Sequence, residues 1–362
     1  MRKLISGLIL IATLCAFQNK HSDILGKWIE KDNFQNPVIF EFKPLSYKIT
    51  TRNYWDEKIY RLVQDTFYTN GFGEITKTVL KLKNDELFFY DIETDTLLSV
   101  LERYTFGNEL DYFNAKKNTS IELPVTQYFH DGWNESFQNT LYADDKDGEL
   151  AIYFNGKLHE LNDTSYYSLH RKDWNRKCEL FIDKDLKLSA LNRIQIELRK
   201  AQMNKINYRV RNEQDSIICI ARRLPLIKSI YSGPIPPSFP DDIETKQKSI
   251  LIKITRNLLS VNGKPIQKKD LKRILKELIE LDKKSIMMFS LSDQLDFDTY
   301  INYYTLIMNA YYELRNDWAM QNYNVSNYFD LDNEQIRIIR RKYPMSMKET
   351  IESEIIESQK NN

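Results

Sequence analysis

Two stretches of this chain present the same features in the same order, and any fold for it has to accommodate both. In the first, the apolar run 149–154 leads into Asn155-Gly156-Lys157; in the second, residues 258–261 lead into Asn262-Gly263-Lys264. Asn-Gly between apolar runs signals a tight turn, because both residues tolerate positive φ. Each copy continues to an apolar strand, 178–182 or 285–291, and then to an acidic turn, Asp183-Lys184-Asp185 or Asp293-Gln294-Leu295-Asp296. The acids of such strand-to-helix turns are read as helix caps rather than as paired catalytic carboxylates. A helix follows each turn: Leu188, Leu191, Ile194, Leu198 and Ala201 share one helical face, and so do Phe297, Ile301, Tyr304, Met308 and Tyr311. Residues 205–210 close the first copy as a strand. The second copy has a further helix from Lys268-Lys269-Asp270, with Leu271, Ile274, Leu275, Leu278 and Leu281 as its stripe; the matching residues 163–174 are shorter and less regular. Fixed order at similar spacing indicates duplication.

Ahead of the repeats, residues 23–110 read as β. The runs 37–42, 47–51, 78–82, 86–90 and 97–101 alternate or are β-branched and aromatic, and Asn70-Gly71, Lys83-Asn84-Asp85 and Glu93-Thr94-Asp95 supply turns. With 22 Tyr and 18 Phe against 10 Gly, the composition favours strand packing over Gly-rich nucleotide loops. Short strands at even spacing make a meander or small barrel. The segment opens on Leu25-Gly26-Lys27-Trp28 and closes on Leu101-Glu102-Arg103-Tyr104. These words resemble the Gly-x-Trp opening and the closing strand of lipocalin-like domains. The resemblance implies that Gly26 and Trp28 shape one barrel end, that Arg103 stacks on Trp28, and that an apolar ligand fills a cup. Small barrels are commonly filled by their own side chains, and that is the preferred reading.

Arg2 and Lys3 precede the short apolar run 4–17, the form of a secretory leader, with an uncleaved anchor as the alternative. Cys15 ends the run and resembles the acylated cysteine of bacterial lipoproteins, although Leu14 stands where those leaders carry a small residue. Acylation there anchors a chain to a membrane without spanning it. Of the other cysteines, Cys178 and Cys219 each sit in an apolar run, which favours buried thiols over a disulfide.

The repeat order is similar to the periplasmic domain of the ExbD/TolR family, on the words Asn262-Gly263-Lys264 with the helix from Asp270, and Phe181-Ile182-Asp183-Lys184-Asp185. That family's membrane aspartate has no counterpart, since the first acid is Asp23. The resemblance therefore implies the family's scaffold role without its proton-driven motor. It implies a protein able to touch peptidoglycan or another envelope protein, dimeric or with its two copies paired internally.

Chemistry-bearing motifs are sparse. The histidines, His21, His130, His159 and His170, form no zinc spacing. Asp144-Asp145-Lys146-Asp147-Gly148 invites a calcium-loop reading, but with Gly148 as loop glycine the first and twelfth positions fall on Ala143 and Phe154, so a solvated turn is expected. No nucleophile elbow, P-loop or dinucleotide fingerprint is present. Lys plus Arg number 52 against 51 acids, giving no basic excess for nucleic acid.

The chain is thus expected to be α+β, a small β-barrel or meander domain followed by two ExbD/TolR-like α/β repeats. The expected divisions are a signal peptide (1–20), a lipocalin-like β domain (23–110), a first repeat (120–215), a Pro-rich linker (222–248), a second repeat (249–340) and a polar tail (341–362). The expected function is a non-catalytic, exported binding or scaffold protein of the periplasm or cell envelope, lipid-anchored through Cys15, with no cofactor and no metal. One alternative is a lipoprotein that holds a small apolar ligand in its barrel; another is a hydrolase with a dispersed site.

Overall fold

A computed structural model of the chain describes residues 22–51, 55–71, 74–127, 139–146, 149–160, 177–201, 203–224 and 248–351. The leader with Cys15, the histidines His21, His130 and His170, residues 225–247 of the linker and the end of the tail lie outside the described residues. The chain divides into two compact units: Met1–Thr119 with Asn134–Thr140 and Phe154–Lys157, and Ser120–Trp133 with Leu141–Tyr153 and Leu158–Asn362.

The first unit is built on β1 (Gly26–Glu30), β2 (Ile39–Phe42), β3 (Ser46–Thr50), β4 (Trp55–Val63), β5 (Thr66–Gly71), β6 (Glu74–Lys83), β7 (Glu86–Asp91) and β8 (Leu97–Arg103). They form a closed antiparallel barrel in chain order, shut where Trp28 of β1 pairs with Arg103 of β8. Asn84, Asp85 and Asp95 take the positive φ expected of the turns that held them. Alternate residues point inward, so Phe42, Tyr47, Tyr60, Phe67, Leu80, Leu87 and Leu101 are buried together with Trp28. Helix α1 (Glu109–Lys117) follows; the Asn108 side chain accepts from the N–H groups of Leu110 and Asp111, and Asn118 ends it in the left-handed region.

Two further sheets follow along the chain, built mostly from residues of the second unit. Strands β9 (Asn139–Lys146), β10 (Glu149–Phe154), β11 (Lys157–His159), β12 (Lys177–Ile182), β13 (Lys205–Arg211) and β14 (Ile217–Arg223) lie in the order β11-β10-β9-β12-β13-β14, with helix α2 (Leu188–Lys200) between β12 and β13. Strands β15 (Ser249–Ile254), β16 (Leu259–Val261), β17 (Lys264–Pro265), β18 (Ile286–Leu291) and β19 (Met347–Ile351) lie in the order β17-β16-β15-β18-β19. Helix α3 (Lys268–Leu281) precedes β18 and helix α4 (Phe297–Tyr323) follows it. In each sheet the strand after the long helix runs parallel to the one before it, β13 to β12 and β19 to β18.

The two halves match in atomic detail at their turns. The N–H of Asn155 donates to the Thr140 carbonyl at 2.7 Å, and the Thr140 N–H returns to Asn155 Oδ1 at 2.8 Å. Asn262 makes the same pair with Leu251, at 2.8 and 2.9 Å. Asn155, Gly156, Asn262 and Gly263 all take positive φ, as their turns require.

Several boundaries differ from the expected ones. Arg222 and Arg223 belong to β14, not to a linker, because the antiparallel pairing with β13 carries through them, Arg222 opposite Ile206 and Arg223 opposite Lys205. The tail read as polar from 341 contains β19, which completes the second sheet beside β18; its alternating Met347, Glu349 and Ile351 give too few apolar residues to be seen beside the charged ones. Asp144, read as part of a solvated turn, lies buried in β9, while Asp145 beside it is exposed. Helix α4 runs on past Tyr311 to Tyr323, and helix α5 (Asn333–Lys342), with an Asp332–Gln335 capping box, packs back on it through Ala319, Tyr328 and Ile339. Among the described residues no helix is long and apolar enough to cross a membrane.

Candidate functional site

The barrel end marked by Gly26, Trp28 and Arg103 is closed by interlocking contacts. The Trp28 indole is fully buried and donates through Nε1 to the Ile24 carbonyl at 2.7 Å. The Arg103 guanidinium lies over the indole at 4.0 Å and donates to the Leu25 carbonyl at 2.6 Å and to that of Asp23. Gly26 has φ +108°, a region L side chains avoid, and this turns the chain from the residues under Arg103 into β1.

Inside, the barrel is occupied by rings. Phe42, Tyr47, Tyr60 and Phe67 meet one another at centroid distances of 5.1 to 6.1 Å, edge-on, stacked or tilted, and Phe40 and Phe89 extend the cluster. Tyr47 Oη meets Thr69 Oγ1 at 3.0 Å and Tyr60 Oη donates to the Lys43 carbonyl at 2.9 Å, so these phenols are satisfied inside the fold. Burial pushes the Tyr60 phenol up to about 12. A cavity of about 290 Å³ opens at the closed end, lined by apolar Ile24, Leu62, Leu80 and Leu87, with Asp23, Gln64 and Asp65 among its polar residues.

The acidic turns of the second unit meet each other. The Leu188 N–H donates to the Leu295 carbonyl at 2.8 Å and the Ser189 N–H to that of Asp293 at 3.1 Å. In exchange, Phe297 N–H donates to Leu186 at 2.8 Å and Asp298 N–H to Lys184 at 2.9 Å. Leu188 and Phe297 hold the same place in the two halves, as do Lys184 and Asp293, so the four bonds are related by a local two-fold, the pattern of an isologous dimer interface. Lys187 and Asp296 bridge each other on the axis.

This exchange explains why Asp183 and Asp185 do not cap a helix as expected. The first N–H groups of α2 are satisfied by carbonyls of the other half, and its N-cap, Lys187, makes no side-chain cap. Asp183 instead accepts from the N–H groups of Glu122 and Asp185, both at 2.9 Å, and Asp185 is exposed. Burial outweighs those bonds and raises the Asp183 carboxyl above its ordinary value. In the second half Asp296 caps α4 through the Thr299 N–H at 2.7 Å, while the carbonyl of Asp293 serves α2.

Further along the axis lies a polar cluster with no counterpart in the sequence reading. Gln195 Nε2 donates to Tyr208 Oη at 2.6 Å. The matching places of the other half hold Tyr304 and Glu349. Arg222 enters from β14: it pairs with Glu349 at 2.8 Å, donates to Tyr300 Oη and stacks against Tyr300 and Tyr304. Tyr300 Oη in turn donates to Glu349 at 3.3 Å. Burial pushes the Tyr208 and Tyr304 phenols up to about 12. Burial works against the Arg222 charge, but Glu349 and the surrounding phenols more than reverse that and hold the guanidinium ionised. The signal for this cluster was an Arg directly after the apolar run 217–221 and a Glu in a short strand near the end.

The remaining candidates give no reactive constellation among the described residues. His159 ends β11, half-buried, and no group of His, Cys, Asp and Glu with metal-ligand geometry occurs there. Cys178 and Cys219 are free thiols, on strands separated by β13; next-but-one strands stand about 9.5 Å apart, beyond disulfide reach. No family model, no curated protein and no solved structure matches the chain.

Proposed function

We propose that this chain is an exported, non-catalytic protein of the cell envelope, held to a membrane by acylation of Cys15, whose paired α/β halves form a scaffold for another envelope component. The observation that carries this reading is the reciprocal bonding of the two acidic turns. Two halves locked by four exchanged backbone bonds and a largely buried ion pair make a rigid platform, and the groups at its axis are consumed in holding it together. The similarity of the repeats to ExbD/TolR periplasmic domains supports an envelope partner, protein or peptidoglycan. Crosslinking in intact cells, followed by affinity capture of the full chain, tests it: a crosslink to one defined envelope component is expected, and recovery of the chain alone counts against the scaffold. Fatty-acid labelling of wild type and Cys15→Ala tests the anchor.

A second reading, a small apolar ligand held by the barrel, is favoured by the cavity of about 290 Å³ beside Ile24 and Leu80. The aromatic filling of the barrel weighs against a ligand in its centre. Mass spectrometry of the natively extracted protein decides between them, since the ligand reading requires a small molecule that co-purifies in stoichiometric amount.

A further inference from the structure

Four of the five most exposed large apolar side chains among the described residues stand on one wall of the barrel. They are Leu45 at 76 %, Trp55 at 65 %, Ile59 at 78 % and Ile75 at 68 %. The strand register places Leu45, Ile59 and Ile75 near one another, and Trp55, opposite Thr50, stands four residues from Ile59 on the same outward face of β4. Ile59 pairs with Ser46 on β3, Ile75 with Asn70 on β5, and the Leu45 carbonyl accepts the N–H of Tyr60, the neighbour of Ile59. Inward positions of the same strands, Tyr60, Phe67 and Leu80, fill the core, so alternation turns the apolar row outward. Singly scattered apolar residues need no explanation, but a row across adjacent strands marks an interaction surface.

The charges on this wall are mostly of one sign. Arg61, Tyr68 and Lys77 form the next cross-strand row, and Lys83 continues the outward face of β6. Arg61, Lys77 and Lys83 are exposed and make no ion pair among the described residues. Lys48 lies over the Trp55 ring at 5.1 Å. Glu57, on the same outer face of β4, is held by Lys43 and by the Ser46 hydroxyl. A Trp and three aliphatic side chains ringed by unpaired cations have the chemistry of an anionic lipid surface, where the rings sit at headgroup level and the cations meet phosphates.

Tether length selects the same occupant. Ser22 lies seven residues after Cys15, and seven residues reach at most about 24 Å. An acyl group on Cys15 therefore keeps the barrel within its own dimensions of the bilayer.

We propose that the outer wall of β3–β6 docks on the anionic surface of the membrane to which Cys15 anchors the chain, with Trp55, Ile59, Ile75 and Leu45 at the headgroup boundary and Arg61, Lys77 and Lys83 on phosphates. The proposal rests on the acylation read above. Each such cation strengthens binding about fivefold.

The test uses the full-length chain with Cys219→Ser, carrying Ile59→Cys or Leu98→Cys labelled with an environment-sensitive fluorophore. Leu98, on β8 across the closed barrel from β4, is exposed and serves as the control. The protein is bound to vesicles of phosphatidylcholine and phosphatidylglycerol containing nitroxide-labelled lipid. Quenching several-fold stronger at position 59 than at 98 is expected, and Arg61→Glu with Lys77→Glu should abolish the difference while the protein stays on the vesicles. Equal quenching at the two positions overturns the docking. Failure of the anchor reads out separately: the wild type would then float with vesicles no better than Cys15→Ala, whereas failure of docking alone leaves flotation intact.

Discussion

Arg103 and Gly156 show how single residues carry this fold. Arg103 stacks on Trp28 and donates to two backbone carbonyls, of Asp23 and Leu25, at the barrel end. Arg103→Ala should cost about 2 kcal/mol in urea unfolding, from one cation–π contact and two charged hydrogen bonds. Arg103→Lys should recover less than half, because an ammonium cannot span both carbonyls while stacked. The paired glycines make a sharper comparison. Gly156 and Gly263 have nearly the same φ, +79° and +78°, so alanine is strained by about 1 kcal/mol at either. At Gly263 a methyl group meets nothing within 4 Å, but at Gly156 it would overlap the ring of Phe34. Gly156→Ala should therefore lower the thermal midpoint clearly more than Gly263→Ala, and equal shifts would show that the Phe34 ring yields.

Helix pairing in the second half depends on charge as well as on packing. Glu313 of α4 receives Lys272 at 2.7 Å and Lys276 at 3.1 Å, both from α3. Burial opposes the charge on Glu313, but the two lysines outweigh it and hold the carboxyl below its ordinary value. A carboxyl lowered in the folded state adds stability above the ordinary carboxylate range and loses it as pH falls through the lowered value. Glu313→Gln should trail the wild type by about 0.5 kcal/mol at neutral pH, since both pairs are partly exposed, and match it in strong acid. A gap that persists into acid would mean that packing, not charge, is lost.

At this scale the sequence was informative where period and turn chemistry agreed. Helix α3 begins at Lys268, where the Lys-Lys-Asp start and the Leu271–Leu275 stripe place it, and the apolar faces of α2 and α4 are the buried ones. The barrel followed from alternation and short turns, and Arg103 stands over Trp28 because β8 closes on β1. What stayed hidden was what depends on distant partners. Nothing local shows that α2 borrows carbonyls from residues a hundred positions away in place of an Asp cap, or that Arg222 and Glu349 meet. Strand β19 was missed because, lying at the sheet's end in the order, it is only half-buried and keeps its charges.

Across the second unit, the exchanged bonds make one cooperative body of two repeats. A protease site placed within residues 225–247 of the otherwise complete chain should, after cleavage, leave the two pieces co-eluting in native buffer and separating only in denaturant. Weakening the axis with Arg222→Ala should promote separation, since it removes the cation that pairs with the largely buried Glu349 at 2.8 Å, a loss of about 3 kcal/mol. Pieces that part at once after cleavage would show that the covalent link, not the interface, holds the halves.

The shared axis also sets what mutation can do to such a molecule. In a dimer of identical chains every substitution near the axis arrives twice, so a lone cation facing a lone acid there cannot be written: the counterparts of Arg222 would face each other, and Tyr208 and Glu349 would have to be one residue. Joining the halves in a single gene releases that constraint. Each side can then differ, one carrying a Gln–Tyr pair and the other a carboxylate, while the backbone exchange between the acidic turns holds the two-fold relation.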